Sequence, residues 1–401
     1  DLADVCHTAN AGRAQFKHRL ALVAESAAQL SQQLGLFAEG KPAEVLLGQA
    51  PNAGKAEVVF LFTGQGSQHE GMGRELYETQ PVYRESLKKS DELLRPVLNE
   101  SLLEVLYGGK GHLLEQSGVS QPALFAVEYA LAQLWKSWGV KPAAVMGHSL
   151  GEYVAACVAG MCTQEEGLKV VAARGRLMEQ LPEAGEMVAV LAAEAKVQEA
   201  VAPYAQSVSV AAVNGPEETV VSGRAAQVEQ VVSKLKEQGV DCRKLKTTHA
   251  FHSPLMEPML EEFEKEAGKV KWKRPEIEVV SNVSGQLAKG EEGQKGEYWK
   301  KHIRQPVKYW EGLKGLYEKG YRVFVEVGPK PTLVNVGKRN LPGGEAEWVG
   351  SLKQGSNEWQ QMLGSVAKLY VKGVGVDWAG FDQDYPRAKV ALPTYPFQRE
   401  R

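Results

Sequence analysis

The stretch Ala143-Ala-Val-Met-Gly-His-Ser-Leu-Gly151 decides the fold. Ala143–Met146 reads as a short buried strand, and an apolar helix opens after Gly151. Between them, Gly147-His148-Ser149-Leu150-Gly151 matches G-x-S-x-G. In that pattern a tight strand-to-helix turn projects the serine and small glycines relieve crowding. Ser149 is therefore read as a nucleophile rather than a structural serine. The N–H groups and positive dipole end of the following helix suit an oxyanion.

Working outward, Val58-Val-Phe-Leu-Phe62 is a continuous apolar run, as in a buried parallel strand. The polar loop Thr63-Gly-Gln-Gly-Ser-Gln68 follows it. Pro122–Trp138 reads as an amphipathic helix and Glu165–Leu181 as another, with strands at Glu276–Ser281 and Arg322–Val327. Strands alternating with helices predict an α/β domain with a largely parallel sheet. Within it, Met187–Leu191, Glu194–Ala202, Val208–Val213, Glu218–Ser222, Ala225–Gln238 and Cys242–Leu245 run β-α-β-β-α-β, with a turn signal at Asn214-Gly215. That order is ferredoxin-like and predicts an inserted subdomain.

The first fifty residues read helix, strand (Arg19–Ala24), helix (Ser26–Phe37), strand (Glu44–Leu47), a small α+β unit closed by Pro51-Asn-Ala-Gly54. Near the other end come a strand (Trp348–Leu352), a helix (Trp359–Val371) and an extended strap, Leu392–Arg401. The expected division is 1–55, 56–184, 185–247, 248–343 and 344–401.

Composition narrows the function. Net charge is −2, from 47 basic and 49 acidic residues, so no basic domain points to nucleic acid. With 43% hydrophobic and 24% charged residues, the chain is not disordered, collagen-like or membrane-spanning. The longest apolar stretch, Val140–Cys162, contains His148 and Glu152, which argues against a membrane helix. Four cysteines without a C-x-x-C pair read as reduced thiols in a cytoplasmic protein, with no metal site. No signal peptide is read at the start, and the missing Met suggests a piece of a longer chain.

Ser149 needs a base. His7, His18, His69 and His112 fall in segments that read as linker or surface. His148 sits inside the turn. His249 and His252 lie where the inserted subdomain returns to the large one, a place that binding sites favour. A metal-binding pair is the alternative there, but no local carboxylate or Cys completes it. His302 is the remaining candidate. Between Ser149 and His252 the only aspartate is Asp241. A Ser–His dyad held by backbone carbonyls is thus an alternative to a triad. Arg174, in isolation a solvated helical arginine, matters if the substrate carries a carboxylate. The basic run Lys265–Arg274 reads as a helix end and edge strand, or as a docking site for an acidic partner.

Phe62-Thr-Gly-Gln-Gly-Ser-Gln68, Gln121-Pro-Ala-Leu124, Gly147-His-Ser-Leu-Gly-Glu152, His249-Ala-Phe-His252 and Glu326-Val-Gly-Pro329 stand in an order and spacing that closely resemble the acyltransferase domain of modular type I polyketide synthases. Residues 1–55 resemble the linker that follows a ketosynthase. Tyr395–Arg401 resembles the post-acyltransferase linker. The resemblance implies an α/β-hydrolase-like large subdomain and a ferredoxin-like small one. It implies Ser149 as nucleophile, His252 as general base, Gln65 and the Leu150 N–H as oxyanion hole, and Arg174 as partner of the extender unit's carboxylate. Gln121, His148, His249 and Phe251 would line the substrate, and the His302 carbonyl would orient the imidazole. It implies malonyl-CoA, an acyl carrier protein and an adjacent ketosynthase as partners, and no resident cofactor. His249-Ala-Phe-His252 is the pattern associated with malonyl selection, where methylmalonyl-selecting domains usually carry Y-A-S-H. Leu150 fits malonyl as well. The rival readings are a serine hydrolase, which shares the elbow, and a catalytically dead docking module.

Overall fold

The computed structural model describes residues 1–51, 56–247, 249–341 and 343–394. The Tyr395–Arg401 end, and most of the break predicted at Pro51–Gly54, lie outside the described residues. Among the described residues eleven strands occur in chain order: β1 (His18–Ala21), β2 (Leu46–Gln49), β3 (Val58–Phe62), β4 (Pro142–Gly147), β5 (Glu186–Val190), β6 (Val208–Gly215), β7 (Glu218–Gly223), β8 (Cys242–Lys244), β9 (Glu278–Val280), β10 (Val323–Val327) and β11 (Glu347–Gly350).

The large sheet is parallel throughout, in the order β11-β10-β3-β4-β9. All five residues of β3 are buried, so its unbroken apolar run is what a strand covered on both faces requires. Each such side chain contributes about 1.5–3 kcal/mol of burial. Because the strands are parallel, the loops after β3, β4, β9 and β10 emerge at one end. Ligands of open α/β sheets bind at that end.

The inserted unit is an antiparallel sheet in the order β6-β7-β5-β8, with helices Glu194–Val201 and Ala225–Glu237, as the ferredoxin-like reading expects. Its own apolar core includes Val190, Val197, Val221, Val228 and Leu235. It meets the large subdomain through β6: Val213 N–H donates to the Val307 carbonyl, and Val307 N–H to that of Ala211, both at 2.9 Å. The strand runs through Asn214 and Gly215, so the turn falls at Pro216-Glu217 instead. Pairing of Val213 with Thr219 and of Gly215 with Glu218 carries the strand through both residues.

Two other elements depart from expectation. The helix at Pro122–Trp138 begins earlier, spanning Ser117–Ser137 with Pro122 inside it. It is buried on nearly every side rather than amphipathic, and that packing outweighs the hydrogen bond Pro removes. The basic run 265–274 ends the helix Leu260–Gly268 and then continues without forming an edge strand. The N-terminal unit pairs β1 with β2, and its first helix, Leu2–Ala11, carries the C-terminal strap. Ala388 N–H donates to Asp4, Val390 N–H to the Thr8 hydroxyl, and Arg13 to the carbonyls of Leu392 and Pro393. Among the described residues, no helix is long and apolar enough to cross a membrane.

Candidate active site

Ser149 stands at the end of β4 with φ +50°. This left-handed backbone is uncommon for a residue with a side chain and costs on the order of 1–3 kcal/mol. The flanking glycines explain how the turn closes. A Cβ on Gly147 would lie 2.0 Å from the Glu152 nitrogen, and one on Gly151 would lie 2.2 Å from the Phe62 carbonyl oxygen. The helix Gly151–Val158 starts at once behind the serine.

His252 reaches the serine from the junction of the two subdomains. Its Nε2 accepts from Ser149 Oγ at 2.8 Å, while Nδ1 donates to the Gln305 carbonyl at 2.9 Å. It too has a positive φ, +58°. Among the described residues, no acidic side chain bonds the ring, so the dyad geometry is the one present. The orienting carbonyl is that of Gln305, not His302. The His302 carbonyl lies within the last turn of the helix Gly296–Arg304, whereas Gln305, just past it, is extended and can turn its oxygen outward. His302 is buried instead beside Glu152, with Nε2 3.3 Å from Oε2.

Burial is the main reason the His252 pKa is lowered well below 6.5, and His302, Arg174 and His148 act in the same direction. The imidazole is therefore neutral at pH 7, as an acceptor of the serine proton must be. Its acylation-linked titration is expected below pH 6.5, with the rate flat above that value. Between pH 6.5 and the folded-state value the unfolded chain binds the proton and the folded chain does not, so stability also declines as pH falls there. A pH profile of acyl-enzyme formation checks this, and an inflection at or above 6.5 would contradict it.

Arg174, on the helix Gln164–Glu179, is 2% exposed. The predicted solvated face is absent. The helix packs on Ser117–Ser137 and buries the guanidinium beneath the nucleophile. Its Nη2 donates to Ser149 Oγ at 3.1 Å and Nη1 to Gln121 Oε1 at 2.7 Å, and it sits over the Tyr153 ring. Gln121 donates in turn to Gln65 Oε1, and Gln65 to Ser117 Oγ. The Gln65 side chain is thus committed to this chain of bonds. Among the described residues, no carboxylate forms an ion pair with Arg174.

Ser149, His252, Arg174, Gln65, His148 and Phe251 all line one cleft of about 790 Å³ between the subdomains. His148 donates to Asn214 Oδ1 on β6 at 2.8 Å, tying the elbow to the small subdomain. Gln121 is buried behind Arg174, Leu150 is buried at the helix start, and His249 packs beside Phe251. His69, which read as surface, also lines the cleft. Sequence reasoning missed Gln305 and Asn282. The short apolar strand before Asn282 was the only signal near either.

Residues 59–376 match the family described as "Acyl transferase domain". The chain belongs to that family. Residues 1–34, ahead of that match, match a second family, "CurL-like, PKS C-terminal". The domain is 42% identical over 393 residues to the phenolphthiocerol synthesis polyketide synthase type I Pks15/1 of Mycobacterium marinum, covering 98% of this chain and 18% of that protein. It is 40% identical to the spectinabilin polyketide synthase system protein NorB of Streptomyces orinoci, covering 99% of this chain and again 18% of the relative. The chain therefore spans under a fifth of those relatives' length. Among solved structures, the acyltransferase domain from the second module of the salinomycin polyketide synthase matches with TM-score 0.88 and 38% identity, over 99% of this chain and 93% of that one. MCAT from Streptococcus pneumoniae matches with TM-score 0.70 and 28% identity, over 78% and 99%. The domain is an acyltransferase of the polyketide synthase type, as the motifs led one to expect.

Proposed function

We propose that the domain transfers a malonyl extender unit from malonyl-CoA to the phosphopantetheine thiol of an acyl carrier protein, through an acyl-enzyme on Ser149. The observation that carries this reading is the buried Arg174 guanidinium. It contacts the nucleophile and, among the described residues, pairs with no carboxylate, so an acyl group bearing a free carboxylate would complete it.

The steps follow from the contacts. His252 takes the Ser149 proton as Oγ attacks the thioester carbon. The developing oxyanion is assigned to Gln65 and the Leu150 backbone N–H, as the motifs imply; the Gln65 side-chain amide already donates to Ser117 Oγ, so its backbone N–H is the donor assigned here. As the tetrahedral intermediate collapses the C–S bond breaks, and His252 returns its proton to the departing coenzyme A thiolate. The carrier thiol then gives its proton to His252 and attacks the Ser149 ester, and as the C–O bond to Oγ breaks His252 returns that proton to the serine. Arg174 holds the malonyl carboxylate throughout, and no resident cofactor is needed. Phe251 borders the cleft where an α-methyl would add bulk, and one methyl is worth about 1–3 kcal/mol of discrimination. Preference for malonyl over methylmalonyl, rather than exclusion, is the expectation. In the intact protein a ketosynthase would precede residue 1, consistent with Phe16 and Leu47 standing exposed on the N-terminal unit.

Intact mass after brief incubation with malonyl-, methylmalonyl- or acetyl-CoA tests the reading. A malonyl adduct forming fastest, and absent in Ser149→Ala, is expected. Steady release of free acid without an adduct would favour a hydrolase. Neither adduct nor turnover would leave a docking module.

A further inference from the structure

We propose that Asn282 is the positioning residue of the nucleophile, its side-chain amide spanning the elbow to hold Ser149 in its left-handed conformation. The inference rests on Ser149 being the nucleophile. Asn282 Oδ1 accepts from the Ser149 backbone N–H at 2.7 Å, and its Nδ2 donates to the Gly147 carbonyl at 2.8 Å. One planar group thus grips the chain on both sides of His148, across the very turn that projects Oγ.

The chemistry requires an amide. The elbow presents a donor at residue 149 and an acceptor at residue 147, and the Asn amide offers an acceptor and a donor side by side. A carboxylate of the same shape would satisfy the first and set oxygen against oxygen at the second. The strained φ of Ser149 has to be offset by its surroundings, and two buried hydrogen bonds to the turn supply that.

The clamp is itself held. Asn282 is 1% exposed. It follows β9, the immediate neighbour of β4, so the parallel sheet delivers it beside the elbow from 133 residues away in the chain. Its backbone N–H donates to Glu152 Oε2 at 2.8 Å, and its carbonyl accepts from Lys308 N–H at 2.9 Å. The other oxygen of Glu152 accepts from the Tyr298 hydroxyl, which also lies 2.8 Å from Ser281 Oγ. Glu152 is in the first turn of the helix behind Ser149, so elbow, helix and β9 loop close into one ring of bonds. Asn282 is not itself among the residues lining the cleft, and it holds the nucleophile through the Ser149 backbone rather than through His252. Its loss should move Oγ without altering substrate affinity or the base.

The test is single-turnover acylation by malonyl-CoA on the whole chain. Asn282→Ala is expected to slow acyl-enzyme formation about 100-fold, the cost of a misplaced reacting atom. KM for malonyl-CoA should stay within about threefold and the pH inflection should not move, a split that a general loss of structure does not give. Asn282→Asp keeps the acceptor and loses the donor, so a loss of about 10-fold is expected. Hydrogen exchange on the unaltered chain reads the clamp without any substitution, and Ser149 N–H should be protected. Rapid exchange there overturns the proposal, as does a folded variant acylating within about threefold of wild type. If the wild-type chain forms no Ser149-dependent adduct, the nucleophile reading falls and this proposal with it. A normal wild-type adduct with unaffected Asn282 variants removes this proposal alone.

Discussion

Arg174→Ala is expected to lower malonyl transfer by about 100- to 5,000-fold while acetyl transfer changes far less. Truncating one partner of a buried, hydrogen-bonded charge pair costs about 3–5 kcal/mol, and each 1.36 kcal/mol is tenfold in rate. That cost applies only to an acyl group that brings the other charge. The substitution also removes a buried cation whose pKa desolvation already lowers. The variant should therefore be no less stable than wild type, apart from what the emptied space and the freed Gln121 amide cost it. Paired kcat/KM values for malonyl-CoA and acetyl-CoA, with urea unfolding of both proteins, check the two halves together. Equal losses on the two substrates would show that Arg174 shapes the site rather than binding a carboxylate.

The second large effect is expected from Gly151→Ala. The new Cβ would lie 2.2 Å from the Phe62 carbonyl oxygen and 2.7 Å from that of Thr63, so the helix start would have to back away from β3. Backbone has little room to give, and a destabilisation of about 3 kcal/mol or more is expected. Acylation should fall at least about 100-fold as Oγ moves with the elbow. Gly35→Ala is the matched control. Gly35 is exposed in the helix Ala27–Ala38 with nothing within 4 Å of its added carbon. That change should stabilise the N-terminal unit by about 0.5–1 kcal/mol, the helical preference of Ala over Gly. Urea denaturation of the three proteins measures both. A Gly151 variant as stable as wild type would refute the close-packing account of the elbow.

Most of the fold was legible because its signals are local. The apolar run at Val58–Phe62 must be buried on both faces, and the strand at 142–147 followed at once by a helix can only make a sharp turn. The β-α-β-β-α-β order carried the small subdomain even though its turn was misplaced, since alternation outlasts a shift of two residues. The long helix Pro81–Leu98 was not read, although its apolar residues Tyr83, Leu87 and Leu94 face the core. The expected edge strand in 265–274 failed because, among the described residues, no strand pairs with it to take its hydrogen bonds.

The sequence by itself determined which side chains could do chemistry: a serine on an elbow, an arginine 25 residues after it, and a histidine at the subdomain junction. Side-chain chemistry and short-range geometry need no partner from elsewhere in the chain. Only the tertiary structure decided which groups meet. It buried Arg174 beneath Ser149, gave the imidazole the Gln305 carbonyl instead of that of His302, and brought Asn282 to the elbow. Those contacts depend on strand order and on where a helix stops. Strand order arises from packing between segments more than a hundred residues apart, so no local stretch of sequence records it.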